Sequence, residues 1–325
     1  MIISKTPYRI SFFGGGSDYP TWYKANGGAV ISSTIDKYIY ISCRELPPFF
    51  KHKYRIVWSL LESVKKIDHI KHSAVREMLK YYKIKNGMEI HYDGDLPARS
   101  GMGSSSVFVV GLMNALNSFK NKTINKKKLA INSINFEQKI LREVVGSQDQ
   151  IAASYGGFNK IIFKPDGSFI VNPIKVNKKT IVNLNKNLLL IYTGLPRTAH
   201  NIAKTYVEKL KNNKKKNILK ILNLVDLAEK ALKNDDLNLF AELLHESWLE
   251  KKSLGTLISN SKINDIYNHA IKKGALGGKL LGAGGGGFFI FFVPQEKQKN
   301  FINSFKNLIH IPFNFSYEGS KLILK

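Results

Sequence analysis

A chain of 325 residues, 43% of them hydrophobic, has enough apolar side chains for two folded domains with real cores and does not read as disordered. The formal charge of +26 raises the possibility of a polyanionic partner, but 43 of the 50 basic residues are Lys. The runs Lys126–Lys128 and Lys214–Lys216 lack the interleaved aromatics of a strand-binding groove, so no nucleic-acid partner is expected. The single cysteine, Cys43, excludes an intrachain disulfide. The longest purely apolar run, Phe288–Val293, is too short to span a bilayer, and residue 2 onward reads as strand rather than signal peptide, so a cytoplasmic protein without a membrane partner is expected.

Taken in chain order, alternation predicts strands near 2–5 and 8–13, the second carrying Arg9 into the turn Gly14-Gly15-Gly16-Ser17-Asp18-Tyr19-Pro20. By itself Arg9 reads equally as an edge-strand residue, and Asp18 as a turn cap. Strands near 29–31, 35–43, 54–58 and 88–92 and a helix near 72–84 follow. Next comes Leu96-Pro97-Ala98-Arg99-Ser100-Gly101-Met102-Gly103-Ser104-Ser105-Ser106, which leads into an apolar helix at 104–119. Its glycines allow a tight turn and close approach, and the exposed N–H groups and dipole of the helix start favour phosphate. It is not a Walker loop, because no Lys lies between Lys85 and Lys120. A dinucleotide fingerprint fails too: its last glycine is missing, and no Asp or Glu occurs from Val107 to Phe136 to hold a ribose. A serine-capped helix after a glycine turn would use the same residues.

Helices are expected at 126–145 and 148–155. Gly146 stops the first, and Ser147 with Gln150 has the spacing of a capping box for the second. Asp149 then sits at the second helical position, where the dipole stabilises its anion. Helix stabilisation alone would account for it, just as solvation would account for a mid-helix Glu137. Strands near 158–163 and 168–173 close a first domain, 1–185, with the polar stretch Asn177–Asn187 as the boundary. The second domain, 186–325, reads as a strand at 188–193, a helical block to about 273, two strands flanking Gly282-Ala283-Gly284-Gly285-Gly286-Gly287, a helix at 295–306 and a strand at 309–317. That is the split βαβ plan with inserted helices. Glycine loses the most backbone entropy on ordering, so four in succession imply positive φ or a close approach to the backbone. The turn Thr193-Gly194-Leu195-Pro196-Arg197-Thr198 is a candidate anion site before a helix, or a helix flank with a surface Arg.

In this order Pro7-x-Arg9 through Asp18, Pro97–Ser106 and Gly282–Phe288 resemble the three motifs of the GHMP kinases. The resemblance implies an α+β fold with an N-terminal domain like the second domain of ribosomal protein S5, a ferredoxin-like C-terminal domain and an active site between them. The triple glycine at 14–16 and the three serines at 104–106 resemble, within that superfamily, the D-glycero-D-manno-heptose 7-phosphate kinases, with bacterial fucokinases near by. The implied activity is ATP-dependent phosphorylation of the anomeric hydroxyl of a sugar phosphate, feeding nucleotide-heptose synthesis for surface glycans, in a monomer or homodimer. The implied cofactors are ATP and Mg²⁺. Pro97, Arg99, Ser100, Gly101, Met102, Gly103, Ser104, Ser105 and Ser106 would hold the nucleotide. Ser104 or Ser105 with Glu137 would hold Mg²⁺, Asp149 would be the catalytic base and Arg9 its charged partner. Gly15, Gly16, Ser17, Asp18, Tyr19, Arg197, Gly284, Gly285 and Gly286 would face the sugar. The alternatives are an L-fucose or other sugar 1-kinase, a non-catalytic ATP-binding protein, and a basic nucleic-acid-binding protein.

Overall fold

The computed structural model describes residues 1–195, 199–207, 210 and 214–325. From the N-terminus run β1 (Ile2–Phe13), α1 (Pro20–Asn26), β2 (Gly28–Glu45), β3 (Tyr54–Val57), β4 (Leu61–Val64), α2 (Ser73–Tyr81), β5 (Met88–Gly94), α3 (Ser104–Phe119) and α4 (Lys126–Asn135). Then come α5 (Gln148–Tyr155), β6 (Phe158–Phe163), β7 (Phe169–Pro173), α6 (Lys178–Asn187), β8 (Leu188–Tyr192), α7 (Ala199–Val207), α8 (Lys215–Lys233), α9 (Leu237–Lys252) and α10 (Ser261–Lys272). The chain closes with β9 (Gly277–Leu280), β10 (Phe288–Phe292), α11 (Gln295–Ser304), β11 (Ile309–Ile311), β12 (Phe315–Ser316) and β13 (Lys321–Leu324).

Among the described residues there are two sheets. The larger runs β13-β1-β2-β5-β3-β4, with β6 and β12 also on β2 and β7 on β6, and is antiparallel except for β3 beside β5. Its spine is longer than the sequence suggests, because β1 does not break at Pro7. The missing N–H is absorbed by a register shift between Pro7 and Arg9. Likewise β2 runs through the buried Ser32, Ser33 and Thr34, where it changes partner from β6 to β12 and β5. On this sheet lies α3, whose residues Ser106–Asn117 are all buried. Gly111 lets the helix come close, since a Cβ there would sit 2.9 Å from Thr6 Oγ1, and Ser4 Oγ donates to its carbonyl at 2.9 Å.

The smaller sheet has the order β11-β8-β10-β9, antiparallel throughout. With helices between β8 and β9 and between β10 and β11, this is the ferredoxin-like arrangement expected. Its central strand, Phe288-Phe289-Ile290-Phe291-Phe292, is wholly buried and serves two cores. Phe288, Ile290 and Phe292 face the core shared with the large sheet, while Phe289 and Phe291 pack with Trp248, Tyr267 and Phe301 under the outer helices. Each such ring contributes about 1.5–3 kcal/mol of burial, so the sheet joins both layers and fixes the glycine run beside them.

Three expectations change. The stretch Asn177–Asn187 is a helix: Asn177 caps it by accepting from Lys179 N at 2.9 Å, and Thr180 and Leu184, one turn apart, are buried. The strand expected at 309–317 splits at Pro312, after which β12 and β13 return to the large sheet. Residue 185 itself falls inside α6, between β7 of the large sheet and β8 of the small one. Third, the helix expected at 126–145 ends at Asn135 and continues as one π-helical turn, Phe136–Ile140. Among the described residues no helix is long and apolar enough to cross a membrane.

Candidate active site

The end of β1 delivers Arg9 into the interior. Its Nε and Nη2 donate to Asp149 Oδ1 and Oδ2, both at 2.6 Å, and Nη1 donates to Gly101 O at 2.9 Å. This is the two-armed fork that makes Arg–carboxylate pairs strong and geometrically fixed. Asp149 is the second residue of α5, as expected. The loop before α3 seats on the pair through Gly103 in the left-handed region (φ +75°); a Cβ there would lie 3.0 Å from Asp149 Oδ2 and 3.3 Å from Arg9 Cζ. Gly103 is also the N-cap of α3 and offers no side-chain cap, so the first N–H groups of the helix stay open to an anion. The serine-capped alternative does not hold.

The π-turn places Glu137 fully inside the protein. Such turns insert one extra residue and re-aim a side chain. Burial pushes the Glu137 carboxyl up to about 8, with hydrogen bonds from Gln150 and Ser106 opposing the rise. Gln150 Nε2 donates to Glu137 Oε2 at 2.5 Å and to Ser106 Oγ at 3.2 Å. Glu137 Oε1 and Gln150 Oε1 are buried without a hydrogen-bond partner. Gln150 is thus committed to Glu137, and the expected capping box does not form: Ser147 makes no cap bond and instead meets Tyr23 OH and Gln138 Nε2, each at 3.2 Å.

Asp18 is buried at the opposite wall. Its Oδ1 accepts from Gly16 N–H and its Oδ2 from Gln148 Nε2, both at 3.0 Å. Burial raises its pKa, and the nearby Asp149 adds to the rise. A Cβ on Gly146 would fall 1.8 Å from Asp18 Oδ2, so Gly146 leaves the space that the carboxylate fills.

These walls enclose a cleft of about 350 Å³, within the usual range for small-molecule sites. Arg9 and Asp149 line it together with the loop before α3 and with Asp18, Gly15, Gly16 and Tyr19. Family models for the GHMP kinases N terminal domain and the GHMP kinases C terminal domain match residues 68–157 and 228–310. The D-glycero-alpha-D-manno-heptose 7-phosphate kinase of Campylobacter jejuni is 31% identical over 98% of both chains.

The chain belongs to the GHMP kinases. It is therefore an ATP-dependent phosphotransferase with a hydroxyl acceptor. Solved GHMP-like folds agree: a sugar kinase structure from C. jejuni has 29% identity and a TM-score of 0.75 over 100% of this chain and 98% of that one. A D-glycero-D-manno-heptose 1-phosphate kinase structure from Bacteroides thetaiotaomicron superposes with a TM-score of 0.80 at 24% identity, over 99% and 98%.

In this GHMP kinase the cleft gathers Arg9, Gly15, Gly16, Asp18, Tyr19, Arg99, Gly101, Gly103, Ser104, Ser105, Ser106 and Asp149 from the residues singled out in sequence. Others serve from behind. Ser17 Oγ donates to Gly14 O at 2.8 Å and accepts from Ala29 N–H at 3.2 Å, fixing the turn. Met102 is in the core, Ser100 is buried, and Pro97 is absent from the lining. Gly284, Gly285 and Gly286 face the protein rather than the cleft: Cβ atoms there would meet Ile258, Ile202 and Leu195 within 2.4–2.6 Å. Close packing of the chain on itself already requires glycine at those positions. Arg197 lies outside the described residues.

Sequence reasoning missed Gln148, Glu143, Lys251 and Lys279, all of which line the cleft. Lys251 Nζ donates to Leu280 O at 3.3 Å and to Gly282 O, holding the start of the glycine run. Lys279 is buried, donates to Phe12 O at 2.7 Å, and has its ammonium pKa pushed down to about 7 by burial and by Arg9, against the pull of Asp18. Its signal was visible: one Lys in the otherwise apolar Ala275–Leu281.

Proposed function

We propose that this kinase transfers the γ-phosphoryl of ATP to the anomeric hydroxyl of D-glycero-α-D-manno-heptose 7-phosphate, giving the 1,7-bisphosphate for nucleotide-heptose and surface-glycan synthesis. The observation that carries this reading is the Arg9–Asp149 fork sharing one cleft with an uncapped helix start and a buried Asp18. Full-length similarity to the C. jejuni heptose 7-phosphate kinase supports the acceptor.

The chemistry follows from that placement. The α3 N–H groups with Ser104 and Ser105 hydroxyls hold the triphosphate. Asp149 orients the acceptor hydroxyl and takes its proton as the oxygen bonds the γ-phosphorus and the bond to the β–γ bridging oxygen breaks, releasing ADP. Arg9 keeps positive charge next to the reacting oxygens throughout.

The residues present fit a divalent cation. Among the described residues there is no cluster of three His, Cys, Asp or Glu side chains, so the ion would depend on one carboxylate, hydroxyls and phosphate oxygens, a composition suited to Mg²⁺. Glu137 does not itself line the cleft, but its Oε1 is buried and unpaired, and Gln150 bridges its Oε2 to Ser106, which lines the cleft with Ser104 and Ser105. When bound, Mg²⁺ would neutralise charge on the β- and γ-phosphates.

Incubation with Mg-ATP and a panel of free and phosphorylated hexoses and heptoses, followed by ³¹P NMR of the products, tests the reading. A new anomeric phosphate on the heptose 7-phosphate is expected. Phosphate on another carbon, or selective use of L-fucose or galactose, would overturn the assigned acceptor.

A further inference from the structure

We propose that Gln148 and Lys279, flanking Asp18, are acceptor-recognising residues that together read neighbouring hydroxyls of the bound polyol. The proposal rests on the sugar-kinase reading and extends it to two side chains with no role in phosphoryl transfer.

The orientation of Gln148 follows from an ionised Asp18: its amide Nε2 donates to Asp18 Oδ2 at 3.0 Å, since only the N–H side of an amide can serve a carboxylate. Oε1 is therefore turned away from Asp18, and it is buried with no hydrogen-bond partner although the residue lines the cleft. A buried acceptor left unpaired costs about 1–3 kcal/mol, a penalty that a hydroxyl donated by a ligand removes.

Lys279 complements it. An ammonium has three N–H donors, and among the described residues Lys279 Nζ uses one, to Phe12 O at 2.7 Å. The strand β9 carries it from the small sheet to the end of β1, and its charge interacts with Asp18. Whether charged or neutral, the amine keeps a hydrogen to donate.

The set around this end of the cleft is thus two acceptors, Asp18 and Gln148 Oε1, with one donor. Adjacent hydroxyls match it, since each can donate to an acceptor while a lone pair accepts from Lys279. A phosphate does not match, because its oxygens would face Asp18 and Gln148 Oε1. Open N–H groups for phosphate lie instead at the α3 end.

The test compares wild type, Gln148→Met and Lys279→Met using D-glycero-α-D-manno-heptose 7-phosphate, L-fucose and galactose, and the monodeoxy derivatives of whichever the wild type phosphorylates. Both variants should raise the acceptor KM roughly tenfold or more with the ATP KM little changed. Each should also lose the wild-type penalty against one particular monodeoxy derivative, which a merely structural role would not produce. Lys279→Ala, which likewise lacks a donor, replaces Lys279→Met if thermal melts show the latter unfolded. Folded variants with wild-type acceptor KM and unchanged deoxy discrimination would overturn the proposal while leaving the kinase reading intact. If the wild type phosphorylates none of the three sugars, the acceptor reading falls, and calorimetric titration of the same sugars decides. Binding by wild type that weakens in Gln148→Met sustains the pair, and no binding by wild type removes it.

Discussion

Arg9 and Asp149, 140 residues apart in the chain, are locked by two hydrogen bonds of 2.6 Å against the loop before α3. An Asn at 149 keeps the shape but must turn its NH₂ towards one arm of the guanidinium and cannot take a proton. Asp149→Asn should lower kcat by about 10²–10⁴ with the ATP KM little changed, measured by steady-state kinetics. Near-normal kcat would mean that Asp149 is not the base.

The raised Glu137 pKa has a stability consequence of definite sign. Its carboxyl titrates near 4.5 when unfolded and at about 8 when folded, so the folded state binds the extra proton between these values. That contribution is fully present below pH 4.5 and is lost as pH rises through 8. The ligand-free Tm should fall across this window, Mg-nucleotide should restore it at the alkaline end, and Glu137→Gln should flatten the profile. A Tm slope unaltered by Glu137→Gln would show that another group sets it.

Gly146 touches one substrate site only. A Cβ would displace the Asp18 carboxylate, 1.8 Å away, and disturb its bond from Gln148. Gly146→Ala should therefore raise the acceptor KM by roughly tenfold or more and leave ATP binding, read by fluorescent-nucleotide titration, close to wild type. Equal weakening of both ligands would indicate a general collapse of the cleft.

The end of the glycine run packs on the loop before α3. Phe288 N donates to Ser100 O at 3.0 Å, and a Cβ on Gly287 (φ +98°) would lie 2.1 Å from the same carbonyl. Gly287→Ala must push the phosphate loop away and strain the backbone, which costs on the order of 1–2 kcal/mol for the left-handed conformation alone. Weaker ATP binding with a lowered Tm is expected, and a variant with wild-type values for both would show that the loop tolerates the shift.

The motifs legible in the sequence were those whose chemistry depends on local spacing: the Gly101–Gly103 turn before α3, Arg9 on its strand and Asp149 in the first turn of α5. Residues made functional by distant packing were not. Gln148 draws its meaning from Asp18, 130 positions earlier, and Lys279 from Phe12 at the end of another sheet. The Gly284–Gly286 run was read as room for a ligand, because a sequence cannot distinguish a glycine that admits a sugar from one that admits Ile258 or Leu195. Glu137 entered as a metal ligand through the family resemblance alone, its own pattern suiting a solvated helix residue equally well, because a π-turn leaves no mark in helical periodicity.

The return of β12 and β13 to the large sheet also bears on biosynthesis. Ser320 N donates to Ala153 O at 2.8 Å, and Gly319 and Gly156 pack backbone to backbone, so the segment at 318–320 braces the far end of α5, the helix that carries Asp149. Until β13 pairs, β1 presents an open edge. The far end of the Asp149 helix therefore gains this brace only after residue 320 has been synthesised, and a nascent chain halted after residue 311 would carry Arg9, Asp149 and the whole loop before α3 and still lack it.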